Sequence, residues 1–418
     1  MDRHLKYPRL LGISIFLWVT LAAGIIFAAG YRQSFGAQGA DILRQVFGDR
    51  AVARLEMIVF HLQDRILRWG YQAGLVEPAC PWEIASMPVP TKSPLMPGVI
   101  VQSSATPMPM LTRNTSVEQR SDTPTPAPTA LPTCTPSPTP WMPVAIQSLG
   151  SLEGEGVWMP YIQNIDGDYV AYRAFLQPDQ ERPYVIVAIV AFDLNKTRLH
   201  FVLGSEEPYN PDSPKRDGRI PGDDNKPDRL LATFNGGFKA THGQFGAMAG
   251  GIEALPPRDG FGTVAMYSGG RVSIGVWGEE ILPTVDLIAW RQNGPFVIDD
   301  GQINEEIYNN NPMDWGFTVD DVSPTLRSGL AISDESETLY YLAGDKMTME
   351  DLAISMQAIR AKNGIQLDIN NYWVNFVVHR AQAESMISEP LLPDLMRENL
   401  DRYLYPYVRD FFYITYTP

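Results

Sequence analysis

Apolar and polar positions fall into four successive patterns along this chain. Leu10 to Gly30 runs for 21 positions without a charge, a length that crosses a hydrocarbon core as a helix. Asp41 to Gly74 then takes helical spacing. Leu55, Ile58, Leu62, Ile66 and Trp69 form one apolar face, with Arg54, Glu56, Asp64, Arg65 and Arg68 around it. A membrane-proximal stalk, a dimerising helix and a helix lying on a bilayer all fit this pattern, and the stalk is the plainest of the three. From Pro78 to Pro143, 16 of the chain's 35 prolines occupy 66 positions, which predicts an extended, disordered, polyproline-like spacer unable to bury a core. Beyond Val144 the pattern becomes that of strands.

The predicted strands are Tyr169 to Leu176, Tyr184 to Asp193, Leu199 to Leu203, Leu230 to Phe234, Gly262 to Tyr267, Arg271 to Trp277, Phe296 to Ile298, Gly329 to Ser333 and Thr338 to Leu342. One helix interrupts them. Thr348 and Asp351 fit a capping box, Leu352, Met356 and Ile359 recur at helical spacing, and Gly364 is placed to close the helix. A buried strand, Ile365 to Leu367, then delivers Asp368, Asn370 and Asn371 to its end. Many strands with few helices predict a single α+β domain over 144–418, not an alternating doubly wound sheet.

A formal charge of −15 over 418 residues excludes nucleic acid as a partner, because a phosphate backbone selects basic surfaces. Arg3, Lys6 and Arg9 precede the uncharged run, so residues 1–31 are expected to form a cytoplasmic N-terminus and single-pass anchor with the rest extracytoplasmic. A signal peptide cleaved near Ala28 or Gly30 is the rival reading. The only cysteines, Cys80 and Cys134, leave the C-terminal domain without a thiol nucleophile. They are placed to close a loop or to bridge two chains as a homodimer, for which the 41–74 helix is the other candidate. Asn114 opens a glycosylation sequon. Acids between Glu206 and Arg229 match no EF-hand spacing, so no cofactor is identified and a divalent cation stays open. Phosphate-loop, GxSxG and HExxH signatures are absent from the sequence.

Four segments share one character, a strand entering a glycine- or amide-rich turn. In Ala232–Gly246, Asn235 offers an amide, Gly236 and Gly237 permit close backbone approach, Phe238 covers the turn and His242 follows. An Asn-Gly hairpin turn is the simpler alternative. In Arg291–Asn304, Arg291 and Asn293 precede a short strand and an Asp300-Gly301 turn. In the third, Arg327 enters an otherwise apolar strand, either ion-paired or open to an anion. The fourth is the Asp368–Trp373 turn, where Asp and Asn are also favoured for backbone reasons alone.

In this order the segments resemble the phosphodiester glycosidase family, over roughly residues 208–378. Asn235–Phe238 matches its Asn-Gly-Gly-Phe, Asn293–Gly301 its Asn-Gly-Pro and Asp-Gly elements, and Arg327–Gly329 its arginine-opened strand. Met347–Asp368 matches its last helix and aspartate. Where the family has glycines and a serine after that aspartate, this chain has Ile369-Asn370-Asn371-Tyr372-Trp373, which narrows the approach to the backbone. The resemblance implies a hydrolase acting on a glycosidic or phosphodiester bond of an envelope glycan or exopolysaccharide. Asp368 would be acid/base or nucleophile, Arg327 would neutralise phosphate, and His242 or His379 would transfer protons. Asn235, Gly236, Gly237, Phe238, Arg291, Asn293, Asn370, Asn371 and Trp373 would bind substrate. A second carboxylate is expected from Asp299, Asp300 or Glu253. The alternatives are a tethered glycan- or phosphate-binding module without catalysis, and a scaffold with no ligand pocket.

Overall fold

A computed structural model of the chain describes residues 49–82, 141–308, 323–382 and 385–417. The uncharged run at 10–30, most of the proline-rich stretch, Asn114 and Cys134 lie outside these. Among the described residues no helix is long and apolar enough to cross a membrane.

Helix α1 spans Asp49–Gln72 and precedes the strand domain. The strands follow as β1 (Met159–Gln163), β2 (Tyr169–Leu176), β3 (Val187–Asp193), β4 (Thr197–Val202), β5 (Leu230–Asn235) and β6 (Ala247–Ala249). Next come β7 (Ile252–Leu255), β8 (Gly262–Tyr267), β9 (Val272–Val276), β10 (Leu287–Gln292), β11 (Phe296–Asp299) and β12 (Gln302–Ile303). Then follow β13 (Thr325–Ile332), β14 (Thr338–Met347), helix α2 (Met349–Ala358), β15 (Asn363–Ile369), β16 (Phe376–Gln382), β17 (Ser385–Pro390) and β18 (Phe411–Tyr416).

These strands form three antiparallel sheets. One has the order β1-β2-β3-β14-β13-β15-β11-β12, the second β7-β6-β10-β8-β9, and the third β17-β16-β5-β18-β4. The strand-rich α+β class read from the sequence is what the fold shows. The first sheet is covered on both faces, which explains why β3 reads as an unbroken apolar run. Its Ala188, Val190 and Phe192 enter a core shared with β5, β16 and β18, while Val187, Ile189 and Ala191 enter a second core under α2. Phe234 lies 5.8 Å from Phe376 and 5.5 Å from Phe412, ring centre to ring centre, so one aromatic layer joins β5, β16 and β18 directly beneath the turns described below.

The capping box forms as read: the Asp351 N–H donates to Thr348 Oγ1 at 3.2 Å and the Thr348 N–H to Asp351 Oδ2 at 2.8 Å. Gly364 does not close the helix. The chain turns instead at Arg360, whose φ is +56°, and Gly364 lies inside β15. A Cβ there would sit 2.6 Å from Met356 Sδ, so the glycine lets α2 press against the sheet. The Asp300-Gly301 turn is the two-residue connection of the β11–β12 hairpin, with φ values of +45° and +75°.

Helix α1 packs against the strand domain. Val52 and Val59 are buried on its inner side, Asp64 accepts a hydrogen bond from Tyr184 Oη at 2.9 Å, and Arg182 Nη1 lies 3.6 Å from the same carboxylate. Arg182 also pairs with Asp351 at 2.5 Å and Asp179 at 2.5 Å, tying α1 to the start of α2. Of the apolar face read from the sequence, Ile58, Leu62, Ile66 and Trp69 point outward. Trp82 and Trp141, near the two ends of the proline-rich stretch, both pack on β2, against Phe175 and Tyr172. The Cys80 thiol donates to the Glu153 carbonyl at 3.6 Å.

Candidate active site

Three chain segments meet at one edge of the fold: 236–242 after β5, 368–373 at the end of β15, and Arg409-Asp410 just before β18. Backbone bonds knit them. The Asp368 N–H donates to the Gly236 carbonyl at 3.2 Å, and the Gly236 N–H to the Asp410 carbonyl at 3.2 Å. The cleft over this junction is lined by Phe238, Lys239, His242, Thr325, Asp368, Ile369, Asn370, Trp373 and Arg409, with Glu56 and Phe60 contributed by α1.

Asp368 is almost wholly buried. Its Oδ2 accepts from Arg409 Nη2, and its Oδ1 accepts from the Ile369 N–H at 2.8 Å. Burial pushes its carboxyl above the usual carboxylate range against the opposing pull of Arg409 and that N–H, and the nearby Asp410 charge adds to the rise. Arg409 Nη2 also donates to the Gly237 carbonyl at 2.8 Å, while its Nε has no hydrogen-bond partner. The Arg409 guanidinium lies 4.5 Å and the Lys239 ammonium 5.3 Å from the centre of the Trp373 ring. An aromatic face, two cations and a carboxylate of raised pKa thus share one wall.

The Asp368–Trp373 segment is a turn as well as a wall. Asn370 has φ of +99°, a conformation that glycine adopts freely and that asparagine tolerates better than most residues. Its Oδ1 accepts from the Tyr372 N–H at 2.9 Å, so backbone demand and cleft lining are met by the same side chain.

Several expected binding residues lie behind this wall. The β5 turn is not a hairpin, because β5 pairs with β16 and β18. Asn235 donates to Ser328 Oγ at 3.0 Å and accepts from Tyr341 Oη at 2.9 Å, which leaves its amide to the core. Gly236 and Gly237 make room for protein: a Cβ on Gly236 would meet Asp410 Oδ2 at 2.3 Å, and one on Gly237 would meet Asn293 Oδ1 at 2.5 Å. Arg291, fully buried, pairs with Asp410 at 2.8 Å and donates to the carbonyls of Phe238, Phe245 and Gln292. Asn293 accepts the Phe238 N–H at 2.8 Å and donates to Gln366 and Leu367 carbonyls. These side chains hold the Phe238–Lys239 wall in place from beneath.

Arg327 is likewise fully buried, donating to the carbonyls of Met347 and Ser323 and to Gln366 Oε1, and it does not line the cleft. His379 bonds Thr233 Oγ1 and Ser388 Oγ in the third sheet. Asn371, Asp299, Asp300 and Glu253 do not line the cleft either. Glu56 of α1 shares the cleft lining with Asp368, and the buried Asp410 is close enough for its charge to act on the Asp368 carboxyl. Among the described residues, no three His, Cys, Asp or Glu side chains converge as a metal site requires.

Solved structures of similar fold include the two that follow. One is the zebrafish N-acetylglucosamine-1-phosphodiester alpha-N-acetylglucosaminidase catalytic domain, auto-inhibited by its pro-peptide, at 13% identity and a TM-score of 0.36, covering 61% of this chain and 86% of that one. The other is a hypothetical protein from Synechocystis, at 9% identity and a TM-score of 0.29, covering 62% of this chain and 64% of that one. No family model and no curated protein sequence matches the chain.

Sequence reasoning missed Lys239, Arg409 and Asp410. Lys239 immediately follows the Asn-Gly-Gly-Phe motif. Arg409-Asp410 precedes Phe411–Tyr416, an aromatic and β-branched run that is itself a strand signal. The pair lies before its strand and carries neither glycine nor amide, so the pattern shared by the other four segments does not reach it.

Proposed function

We propose that this protein hydrolyses a sugar phosphodiester at the bond between the anomeric carbon and the phosphate oxygen. It does so on an envelope or exopolysaccharide glycan, held at the outer face of a membrane by residues 10–30. The observation that supports this reading is the wall on which Arg409 and Lys239 flank Trp373 beside the buried Asp368. The phosphate lies between the two cations, Arg409 and Lys239. A sugar face packs on the Trp373 ring. A departing phosphate is a weak base, so the leaving side needs charge neutralisation from Arg409 and Lys239 more than it needs a proton. Asp368, its pKa raised by burial, serves as the proton acceptor for the attacking water.

One observation favours a non-catalytic binding module instead: both Asp368 oxygens already have protein donors, as they would if the residue only oriented its turn. The two readings separate with purified full-length protein in detergent, assayed on aryl α-glycosides and sugar-1-phosphodiesters. The hydrolase reading expects turnover that Asp368→Asn abolishes, and a KM raised about tenfold by Lys239→Ala, the scale of one charged hydrogen bond. Phosphodiester binding without turnover, unchanged in Asp368→Asn, would replace it with the binding module.

A further inference from the structure

Helix α1 is fastened to the protein by one side, on which Val52, Val59 and Asp64 are buried. Asp64, His61 and Arg68 make its side-chain bonds to Tyr184 and Arg182, to Ser323, and to Glu181. The opposite side carries Ile58, Leu62, Ile66 and Trp69, spaced 4, 4 and 3 residues apart and 65, 56, 55 and 64% exposed. Leu75, just beyond the helix end, is exposed as well. That stripe lies along a 24-residue helix, about 36 Å long. Scattered exposed apolar residues are ordinary, but a continuous helical stripe of them on a protein of net charge −15 marks an interaction surface.

We propose that this stripe lies on the surface of a lipid bilayer, rich in anionic headgroups, so that α1 holds the cleft-bearing domain flat against the membrane. Three observations select this occupant. First, the 21-residue uncharged run ends at Gly30, 18 residues before α1 begins, a span of at most about 65 Å even when fully extended. The helix therefore starts within reach of whatever bilayer holds that run. Second, among the α1 side chains that are described, the exposed charged ones are Arg54 and Arg65, both positive, although the whole chain is strongly negative. Their placement beside an apolar stripe suits an interfacial helix on anionic lipid. Two copies packed through this stripe would instead bring like charges together. Third, Trp69 stands at the C-terminal end of the stripe, where an indole favours the headgroup boundary.

The proposal rests on the reading of residues 10–30 as a membrane anchor. It deepens the proposed function by giving the enzyme a membrane-attached phosphodiester as substrate. With α1 flat on the lipid, Glu56 and Phe60 of the same helix face the cleft, so the site opens beside the bilayer and not far from it.

The test uses the full chain with Cys80 and Cys134 replaced by serine and a nitroxide attached through Leu62→Cys, Ile66→Cys or, as a control, Asp212→Cys on an exposed loop. The protein is reconstituted into vesicles of three parts zwitterionic to one part anionic phospholipid. Collision of each nitroxide with oxygen and with a water-soluble nickel complex is then measured. The expected result is that labels at 62 and 66 favour oxygen over nickel, as below the phosphate plane, while the label at 212 favours nickel. Labels at 62 and 66 that are open to nickel overturn the proposal, as do labels shielded from both reagents. Spin–spin broadening that persists on dilution among lipids assigns the stripe to a second copy and also overturns it. A carbonate wash separates the two layers of the argument. Retention of the protein with water-exposed labels refutes the α1 assignment alone, whereas release from the vesicles refutes the anchor and the proposal together, leaving the cleft chemistry to its own assay.

Discussion

Replacing Asp410 with asparagine leaves the Arg291 guanidinium, which is fully buried, facing a neutral amide. In the native protein Asp410 Oδ2 accepts from Arg291 Nε at 2.8 Å and from the Gly237 N–H at 3.1 Å. Both side chains are wholly buried. Three carbonyls accept three of the four remaining Arg291 N–H donors, so the geometry can persist while the charge loses its compensation. Breaking one side of a buried pair costs about 3–5 kcal/mol. Asparagine keeps the shape and one acceptor, which places the expected loss near the lower end, about 3 kcal/mol. For a domain of this size that corresponds to a fall in Tm of roughly 6–12 °C. Urea denaturation followed by tryptophan fluorescence reads this as a lower midpoint at unchanged slope. Replacing both partners, Arg291→Met with Asp410→Leu, should recover part of the loss, because the buried charge is then gone rather than stranded. A single-variant loss below about 1 kcal/mol, or a double variant no better than the sum of its parts, would refute the reasoning that this pair supports the Gly236–Lys239 wall.

Three further outcomes follow. Burial holds the His379 imidazole down at about 4, below its value in the unfolded chain. Its contribution is therefore complete above about pH 6.5 and is lost as pH falls from there toward 4, about 3 kcal/mol in all; His379→Gln should flatten the stability profile between pH 6.5 and 5. Gly364→Ala forces Met356 aside, with the added Cβ 2.6 Å from its sulfur, and should cost about 1–3 kcal/mol. Combining it with Met356→Ala should give less than the sum of the two single losses, and strict additivity would contradict the close packing of α2 on β15. Arg182→Ala strands Asp351 and removes a cation facing Asp64, so hydrogen exchange along α1 should quicken several-fold or more while β13 and β14 stay protected.

Much of the strand framework was legible because the alternation was long enough to read. β2 and β8 appear with the boundaries that the pattern gave, and the Thr348 capping box forms atom for atom. What the sequence concealed was which polar groups would be used up internally. Arg327 looks like an anion receptor because its acceptors, the Met347 and Ser323 carbonyls and Gln366 Oε1, come from the chain preceding β13 and from two neighbouring strands. Arg291 finds its carboxylate 119 positions away. No spacing rule links those partners. Gly236 and Gly237 invite the reading that a ligand approaches, yet what approaches is Asp410 and Arg291. Asp368, His242, Phe238, Asn370 and Trp373 do reach the cleft, because each lies within a turn whose strand was identified. The outward apolar stripe of α1 had an equally clear period, but helical spacing says which residues share a face and not which face the protein covers.

Hydrolysis of a sugar-1-phosphodiester in oxygen-18 water, with mass analysis of both products, tests the central account most directly. It predicts one heavy oxygen on the sugar and none on the phosphate, with all turnover lost in Asp368→Asn. Label in the phosphate, or turnover that survives in Asp368→Asn, would contradict it.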